Sequence, residues 1–206
     1  MDPKYRIVAG MIGLVGLVAL VAQLGIRLER GQPLGAALWS MAGFFTILTN
    51  LLMAVTMLVI AATGRRLSFG WMSMVTLSML MVGLVYHLLL AQHFTFTGRR
   101  WWIDQALHSI LPALMLWFWL METSRNDPRG GQPLVWLLWP AGYAVYALGR
   151  GALGGRYPYP FLNITTLGLG QVMVNMALLV ACFAITAYVL NTIGKRMPLR
   201  DQFALR

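Results

Sequence analysis

Charged residues and cysteines are scarce in this sequence of 206 residues. Asp, Glu, Lys and Arg make up 11% of it, whereas hydrophobic residues make up 59%. Because soluble domains contain about 25% charged residues, this composition excludes a water-soluble enzyme and a disordered chain. The one cysteine, Cys182, lies inside an apolar run, which excludes a disulfide framework and any cysteine-rich zinc or iron–sulfur site. The composition predicts a membrane protein with a single domain.

Acidic residues are rarer still: 6 Asp and Glu accompany 16 Lys and Arg, for a formal net charge of +10. In a soluble protein such an excess would indicate a nucleic acid partner. Here the basic residues stand at the ends of apolar runs, where phospholipid head groups are available to them. We therefore expect membrane lipids as partners and no nucleic acid.

Six apolar runs are long enough to cross a bilayer, for which a helix needs about 20 residues. The predicted membrane helices cover residues 7–25, 36–63, 69–91, 103–121, 133–149 and 168–193. No small-residue cleavage site stands out after the first run, so we expect it to remain in the protein. The predicted fold is an all-α, six-helix transmembrane bundle. Residues 150–166, rich in Gly, Tyr and Pro, predict a structured loop, of which residues 157–166 fold over the site.

The basic residues predict the orientation, because cytoplasmic loops carry the excess of Lys and Arg. Ten of the 16 lie on the side that holds both chain ends, and six lie on the other side. The ten are Lys4, Arg6, Arg65, Arg66, Arg125, Arg129, Lys195, Arg196, Arg200 and Arg206. The six are Arg27, Arg30, Arg99, Arg100, Arg150 and Arg156. Both termini are therefore predicted to be cytoplasmic.

Few polar side chains lie within the predicted spans, and they gather at one depth. Thr46, Thr49 and Asn50 share one helical face, because they are three and four residues apart. Asp104 and His108 are one turn apart, so the carboxylate can orient the imidazole. Because successive helices alternate in direction, the same layer near the non-cytoplasmic side holds three more polar residues. These three are Tyr86, His87 and Asn175. Polar groups at membrane depth indicate a functional site.

Other interpretations of these residues remain open. A threonine in a membrane helix commonly donates to a carbonyl one turn earlier, and His108 is equally compatible with a bond between helices. A transporter or channel with a polar site at the midplane is the main alternative function. A haem-binding redox protein would use His87 and His108. The three histidines show no recognisable metal-ligand spacing, so we expect no metal and no other cofactor.

Three segments carry a likeness to a known family: FFTILTN at residues 44–50, LHSILP at 107–112 and YPYPFL at 157–162. In these segments the chain resembles the Pr6Pr family of bacterial six-helix membrane proteins. It is also similar to the related androgen-induced and androgen-dependent TFPI-regulating proteins of animals. The likeness follows nearly the whole chain in order and spacing. It implies a multi-pass protein of the bacterial inner membrane.

The resemblance also implies an activity, since animal members are membrane threonine hydrolases of fatty acid esters of hydroxy fatty acids. By that match Thr46 is the nucleophile and His108 its base, and the substrate is a lipid ester. The animal motif has an acidic residue three positions after the threonine. This chain has Thr49 there, so Thr49 is a rival nucleophile.

The chemistry of the residues fits an ester hydrolase. A threonine hydroxyl needs a base within hydrogen-bond reach, and His108 oriented by Asp104 would form a triad-like arrangement. The acyl–threonine intermediate would then be hydrolysed by water. The oxyanion donor stays open among Asn50, Ser109 and Tyr157. His87 completes the set of predicted supporting residues.

Overall fold

The computed structural model of the protein describes residues 2–123, 132–154 and 156–197, and all regular structure in these ranges is helical. The α-helices are α1 (Pro3–Glu29), α2 (Leu34–Met41), α3 (Phe45–Thr63), α4 (Phe69–Val85), α5 (Arg99–Gln105), α6 (Leu111–Thr123), α7 (Leu138–Gly154) and α8 (Ile164–Arg196). Five helical segments are long and apolar enough to cross a membrane: Pro3–Glu29, Phe45–Thr63, Phe69–His93, Arg99–Met121 and Ile164–Arg196. The prediction of an all-α membrane protein is confirmed. The first, third, fourth and sixth predicted spans each lie within one of these segments.

The second predicted span, residues 36–63, is wrong as a single helix. The chain breaks between α2, of 8 residues, and α3, of 19 residues. The Gly43 carbonyl accepts a hydrogen bond from the Tyr143 hydroxyl at 2.8 Å, and the Ile47 amide donates to Phe44 instead. The break places Thr46 in the first turn of α3 rather than a third of the way along a longer helix.

The segment around the fifth predicted span also differs from expectation. A 3-10 turn, Pro133–Leu137, precedes α7, which has 17 residues. Residues 150–154 continue α7, so the predicted loop over 150–166 is wrong at its start. At its end the chain forms a helical turn that Asn163 caps, because its side chain accepts a hydrogen bond from the Thr165 amide. Gly168, with φ 74° and ψ 157°, separates this turn by a kink from the rest of α8.

Two neighbouring π-helical turns interrupt the helices that carry the polar layer. Tyr86–Leu90 follows α4, and Ala106–Ile110 joins α5 to α6. Pro112 has no N–H, so the His108 carbonyl cannot make its usual helical hydrogen bond. That carbonyl oxygen instead lies close to Gly83, at 2.9 Å from where a Cβ would stand. Such turns add a residue to the helix and are frequent at functional sites.

Polar contacts at the helix ends show which loops share a face of the bundle. At one face Arg6, at the start of α1, donates to the carbonyls of Ala61 and Ala62 at the end of α3. At the other face Glu29, at the end of α1, forms an ion pair with Arg99. Of the ten basic residues assigned to the cytoplasmic side, four lie outside the described residues: Arg125, Arg129, Arg200 and Arg206.

Helices α1 and α3 pack closely through small residues. Gly13 and Gly16 of α1 are buried, and Ala54 of α3 is fully buried against them. Small residues allow membrane helices to approach closely, because burial of apolar side chains offers little gain in lipid. This packing holds α3, and therefore Thr46, against the rest of the bundle.

We expect Gly13→Ala to lower the free energy of unfolding by about 1–3 kcal/mol. The added Cβ would lie 2.8 Å from Leu58 Cγ and 3.1 Å from the Ala54 carbonyl oxygen. Gly25→Ala is the matched control, since no atom lies within 4 Å of its Cβ position, and it should be neutral or stabilising. Denaturant unfolding in detergent micelles measures both variants. Equal stability of the two would contradict the close α1–α3 contact.

Candidate functional site

An apolar cavity of about 390 Å³ is lined by residues of α3, α4, α7 and α8 and of the segment before α8. Its polar residues are Thr46, Tyr86, Tyr143 and Tyr159. Two lining residues from different helices, Val145 of α7 and Val180 of α8, are 75% and 53% exposed. The cavity therefore reaches the apolar outer surface between α7 and α8.

Thr46 lies on the cavity wall, in the first turn of α3, with 9% of its surface exposed. The helix begins after Phe44, which offers no side-chain cap for the free amides. The Thr46 amide donates a hydrogen bond to the Tyr159 hydroxyl at 3.5 Å, and Tyr143 lines the same cavity. Three hydroxyl-bearing side chains, those of Thr46, Tyr143 and Tyr159, thus form a hydroxyl cluster on the cavity wall near the start of α3.

Asn50 links the turn of Thr46 to the helix that carries His108. It is fully buried, and its Nδ2 donates to the carbonyl of Thr46 at 2.8 Å and to that of Leu107 at 3.3 Å. Leu107 directly precedes His108 in the second π turn. The side-chain oxygen of Asn50 has no hydrogen-bond partner among the described residues.

His108 and Asp104 form the pair that the sequence predicted, and Tyr86 completes it. His108 Nδ1 lies 3.1 Å from Asp104 Oδ1 and 3.0 Å from the Asp104 carbonyl oxygen. The Tyr86 hydroxyl donates to the other carboxylate oxygen. The Tyr86 ring stacks on the imidazole with centroids 3.8 Å apart and planes 17° apart.

This geometry determines which nitrogen of His108 can act as a base. Both neighbours of Nδ1 are hydrogen-bond acceptors, so Nδ1 carries the proton in the neutral imidazole and Nε2 keeps its lone pair. Within the described ranges no hydrogen bond engages Nε2, and none joins His108 to Thr46. Because Tyr86 both stacks on His108 and lines the cavity, the imidazole lies directly behind the cavity wall.

The structure places the other predicted site residues away from the cavity lining. Thr49 is fully buried and accepts a hydrogen bond from Trp139 Nε1 at 3.0 Å. Ser109 Oγ donates to Gln105 at 2.8 Å and lies 2.9 Å from His87 Nε2.

Tyr157 packs over Gly151 of α7, where a Cβ would lie 2.2 Å from its ring. None of the three predicted oxyanion donors, Asn50, Ser109 and Tyr157, belongs to the cavity lining. The loop does reach the site, but through Tyr159, two residues further along.

Sequence reasoning missed the tyrosines that surround Thr46. Tyr159 stands between two prolines in the YPYPFL segment, and Tyr143 stands with Tyr146 in an apolar run. A tyrosine hydroxyl in an apolar run needs a partner, and that signal marks both residues. The partners themselves come from separate helices, so spacing along the chain does not identify them.

No group of three or more His, Cys, Asp or Glu side chains that could hold a metal ion occurs in the part of the chain that the structure describes. His87 and His108 both pack against the Tyr86 ring, with centroid distances of 5.1 Å and 3.8 Å. One nitrogen of each imidazole also lies near a polar side chain of the α5–α6 segment. His87 Nε2 lies near Ser109 Oγ, and His108 Nδ1 lies near Asp104 Oδ1.

Comparison of the chain with protein-family models, with curated proteins and with solved structures finds no match. The fold and the site therefore define only a class: a helical membrane protein with an apolar cavity beside a hydroxyl cluster and an Asp–His pair. The function has to be argued from that geometry.

Proposed function

We propose that this protein is an intramembrane hydrolase of lipid esters, with Thr46 as the nucleophile and His108 as its base. The substrate is a fatty acid ester of a hydroxy fatty acid or a similar ester, as the resemblance to the related animal membrane hydrolases implies. One observation carries the proposal: Asn50 ties the turn of Thr46, on the wall of the apolar cavity, to the residue before His108. A volume of about 390 Å³ is within the usual range for ligand pockets.

The reaction has two halves. In the first, the Thr46 oxygen attacks the ester carbonyl carbon while its proton passes to His108 Nε2. The bond from the carbonyl carbon to the alkoxy oxygen then breaks, and His108 returns the proton to the departing alcohol. In the second half, His108 takes a proton from water, whose oxygen attacks the acyl–threonine carbonyl. Collapse of that adduct releases the fatty acid and restores the Thr46 hydroxyl.

Asp104 and Tyr86 support the base in this scheme. The Asp104 carboxylate holds the Nδ1 proton of His108 and stabilises the imidazolium that forms during attack. Tyr86 fixes the carboxylate through its hydroxyl and the imidazole through stacking. The scheme requires the ester to displace the Tyr159 hydroxyl from Thr46, so that the threonine can turn to Nε2 when substrate is bound.

The oxyanion would form at the start of α3. The Tyr159 hydroxyl now lies beside the Thr46 amide, at a helix N-terminus that has no side-chain cap. Amide N–H groups at such an end favour negative charge. We assign the Thr46 amide and the Tyr159 hydroxyl as the oxyanion donors.

We further propose that the chain crosses the bacterial inner membrane six times, with both termini in the cytoplasm. The crossing that adds to the five long helical segments is α7 together with the 3-10 turn before it, which is fifth in chain order. The 17 residues of α7 and the 5 of the turn span about 35 Å, compared with about 30 Å of hydrocarbon. The excess of basic residues on the terminal side supports the orientation.

The direct test uses purified protein in neutral detergent with a panel of lipid esters. Release of free fatty acid, measured by mass spectrometry, is the expected result. A fluorophosphonate probe should label the protein, and peptide mapping should place the label on Thr46. Intact protein that neither releases fatty acid from any ester nor reacts with the probe would contradict the hydrolase proposal.

Tyr159→Phe should lower kcat by about 10²–10³-fold, because it removes one oxyanion donor. Tyr157→Phe, in the same loop, is the matched control and should keep wild-type kcat. Both variants lose one hydroxyl from the same segment, so an effect on loop folding alone would change their activity and thermal stability alike. Steady-state turnover together with thermal unfolding distinguishes the two outcomes.

A further inference from the structure

Two arginines contact the segment that leads into the cavity. Arg27 of α1 donates to Ser40 Oγ at 2.9 Å, and its guanidinium lies 5.9 Å from the centre of the Phe44 ring. Arg150 of α7 donates to the carbonyl of Trp39 and stacks over the Trp39 ring at 4.0 Å. The two cations therefore meet residues 39–44, just before the cavity residues Phe45 and Thr46.

Neither arginine has an acidic partner within the described residues. On this face of the bundle Glu29 pairs with Arg99, and Asp104 is engaged by His108 and Tyr86. The Nε atom of Arg27 is buried and without a hydrogen-bond partner in the described part of the chain. A buried guanidinium donor without a partner is costly. Arg150, whose amino groups donate to the Tyr146 hydroxyl and the Trp39 carbonyl, adds a second cation to the same segment, and two cations on one segment favour an anion.

The same segment adjoins the cavity. The Gly43 carbonyl accepts a hydrogen bond from the Tyr143 hydroxyl at 2.8 Å. The guanidinium carbon of Arg150 lies 3.4 Å from the position that a Cβ on Gly43 would occupy. Phe44 packs edge-on against Tyr159, with ring centroids 5.8 Å apart. Tyr143 and Tyr159 both line the cavity, so the arginines and the cavity residues contact the same short connection.

We infer that Arg27 and Arg150 bind the anionic end group of a single-chain amphiphile, a carboxylate or a phosphate, whose hydrocarbon chain occupies the cavity. The anionic end lies at the membrane surface, the chain lies among the apolar residues, and Thr46 lies at the boundary between them. The guanidinium fork matches either oxyanion. As an assignment of substrate this rests on the proposed function, and as a binding site it does not.

The experiment measures binding without turnover. Oleate and oleyl alcohol, which share a chain and differ in charge, are titrated by native mass spectrometry into protein in neutral detergent. The variants are Arg27→Gln and Arg150→Gln. Arg100→Gln, an exposed arginine on the same face, is the control with the same change of charge. The variants Arg27→Lys and Arg150→Lys retain the positive charge, so they control for an effect of substitution on folding.

We expect wild-type protein to bind oleate more tightly than oleyl alcohol. Each Gln variant should weaken oleate about 10-fold or more, while Arg100→Gln changes nothing and the Lys variants recover part of the affinity. Equal binding of the acid and the alcohol by folded wild-type protein would overturn the inference. So would an Arg100→Gln effect as large as the other two.

A second arm distinguishes the two sources of the anion. Adding a lysophosphatidylglycerol, which has a phosphate and one acyl chain, should leave oleate binding unchanged if the pair serves the carboxylate of a fatty acid. Competition that disappears in the Gln variants assigns the pair to a phospholipid phosphate. Because neither arm involves hydrolysis, oleate binding with no esterase activity refutes the proposed function alone. Esterase activity without selective oleate binding refutes the arginine site alone.

Discussion

Thr46→Ala should abolish ester hydrolysis, lowering kcat by about 10⁴-fold or more, because it removes the nucleophile itself. The substitution deletes one hydroxyl and one methyl from a side chain on the cavity wall. Expression and thermal stability should therefore change little. Labelling by a fluorophosphonate should be lost in parallel with turnover. Rates of fatty acid release and labelling in detergent measure both effects.

Two further variants make this prediction specific to Thr46. Thr46→Ser should keep part of the activity, since the hydroxyl survives. Thr49→Ala removes the hydroxyl that accepts from Trp139 and should reduce turnover without eliminating it. Wild-type activity in Thr46→Ala with an inactive Thr49→Ala would reassign the nucleophile. If both remain active, a threonine nucleophile is ruled out.

His108→Ala should lower kcat by about 10²–10⁴-fold, because general-base catalysis contributes on that scale. The lone pair of Nε2 is the acceptor for the Thr46 proton, so the loss should appear in kcat. Steady-state turnover of the folded variant measures the effect, and wild-type kcat in His108→Ala would identify His108 as structural.

Two variants test the support of His108 separately. Asp104→Asn keeps the shape of the side chain and removes the charge that orients Nδ1, so kcat should fall. Tyr86→Phe keeps the stacking on His108 and removes the hydrogen bond to Asp104, so its effect should be smaller. A kcat of folded Asp104→Asn equal to that of the wild type would remove Asp104 from the mechanism.

The sequence predicted which segments form helices, because helix formation depends on local composition. Runs without charge cannot leave backbone amides unpaired in hydrocarbon, so they become helices. The predicted positions of the helix ends were less accurate where contacts between distant residues determine them. The break before α3 depends on the Tyr143 hydroxyl reaching the Gly43 carbonyl, a contact between residues 100 positions apart. No pattern near Gly43 contains that information.

The candidate site also contains contacts that the sequence predicted and contacts that it did not. The Asp104–His108 contact was predictable, because two residues four apart on one helix are neighbours whatever surrounds them. The placement of Thr46 on the cavity wall and of Thr49 against Trp139 was not predictable from their shared helical face. A one-turn difference in level decides which hydroxyl meets the cavity, and that level depends on where α3 begins.

The sequence by itself determined that the chain is helical and apolar enough for a membrane, and that Asp104 and His108 are adjacent. Only the tertiary structure decided that Tyr86, Tyr143 and Tyr159, from three separate segments, converge on the same cavity as Thr46. The physical reason is the separation along the chain of the residues on which each feature depends. Helix formation and contacts one turn apart depend on neighbouring residues, whereas a cavity is defined by how distant helices pack around it.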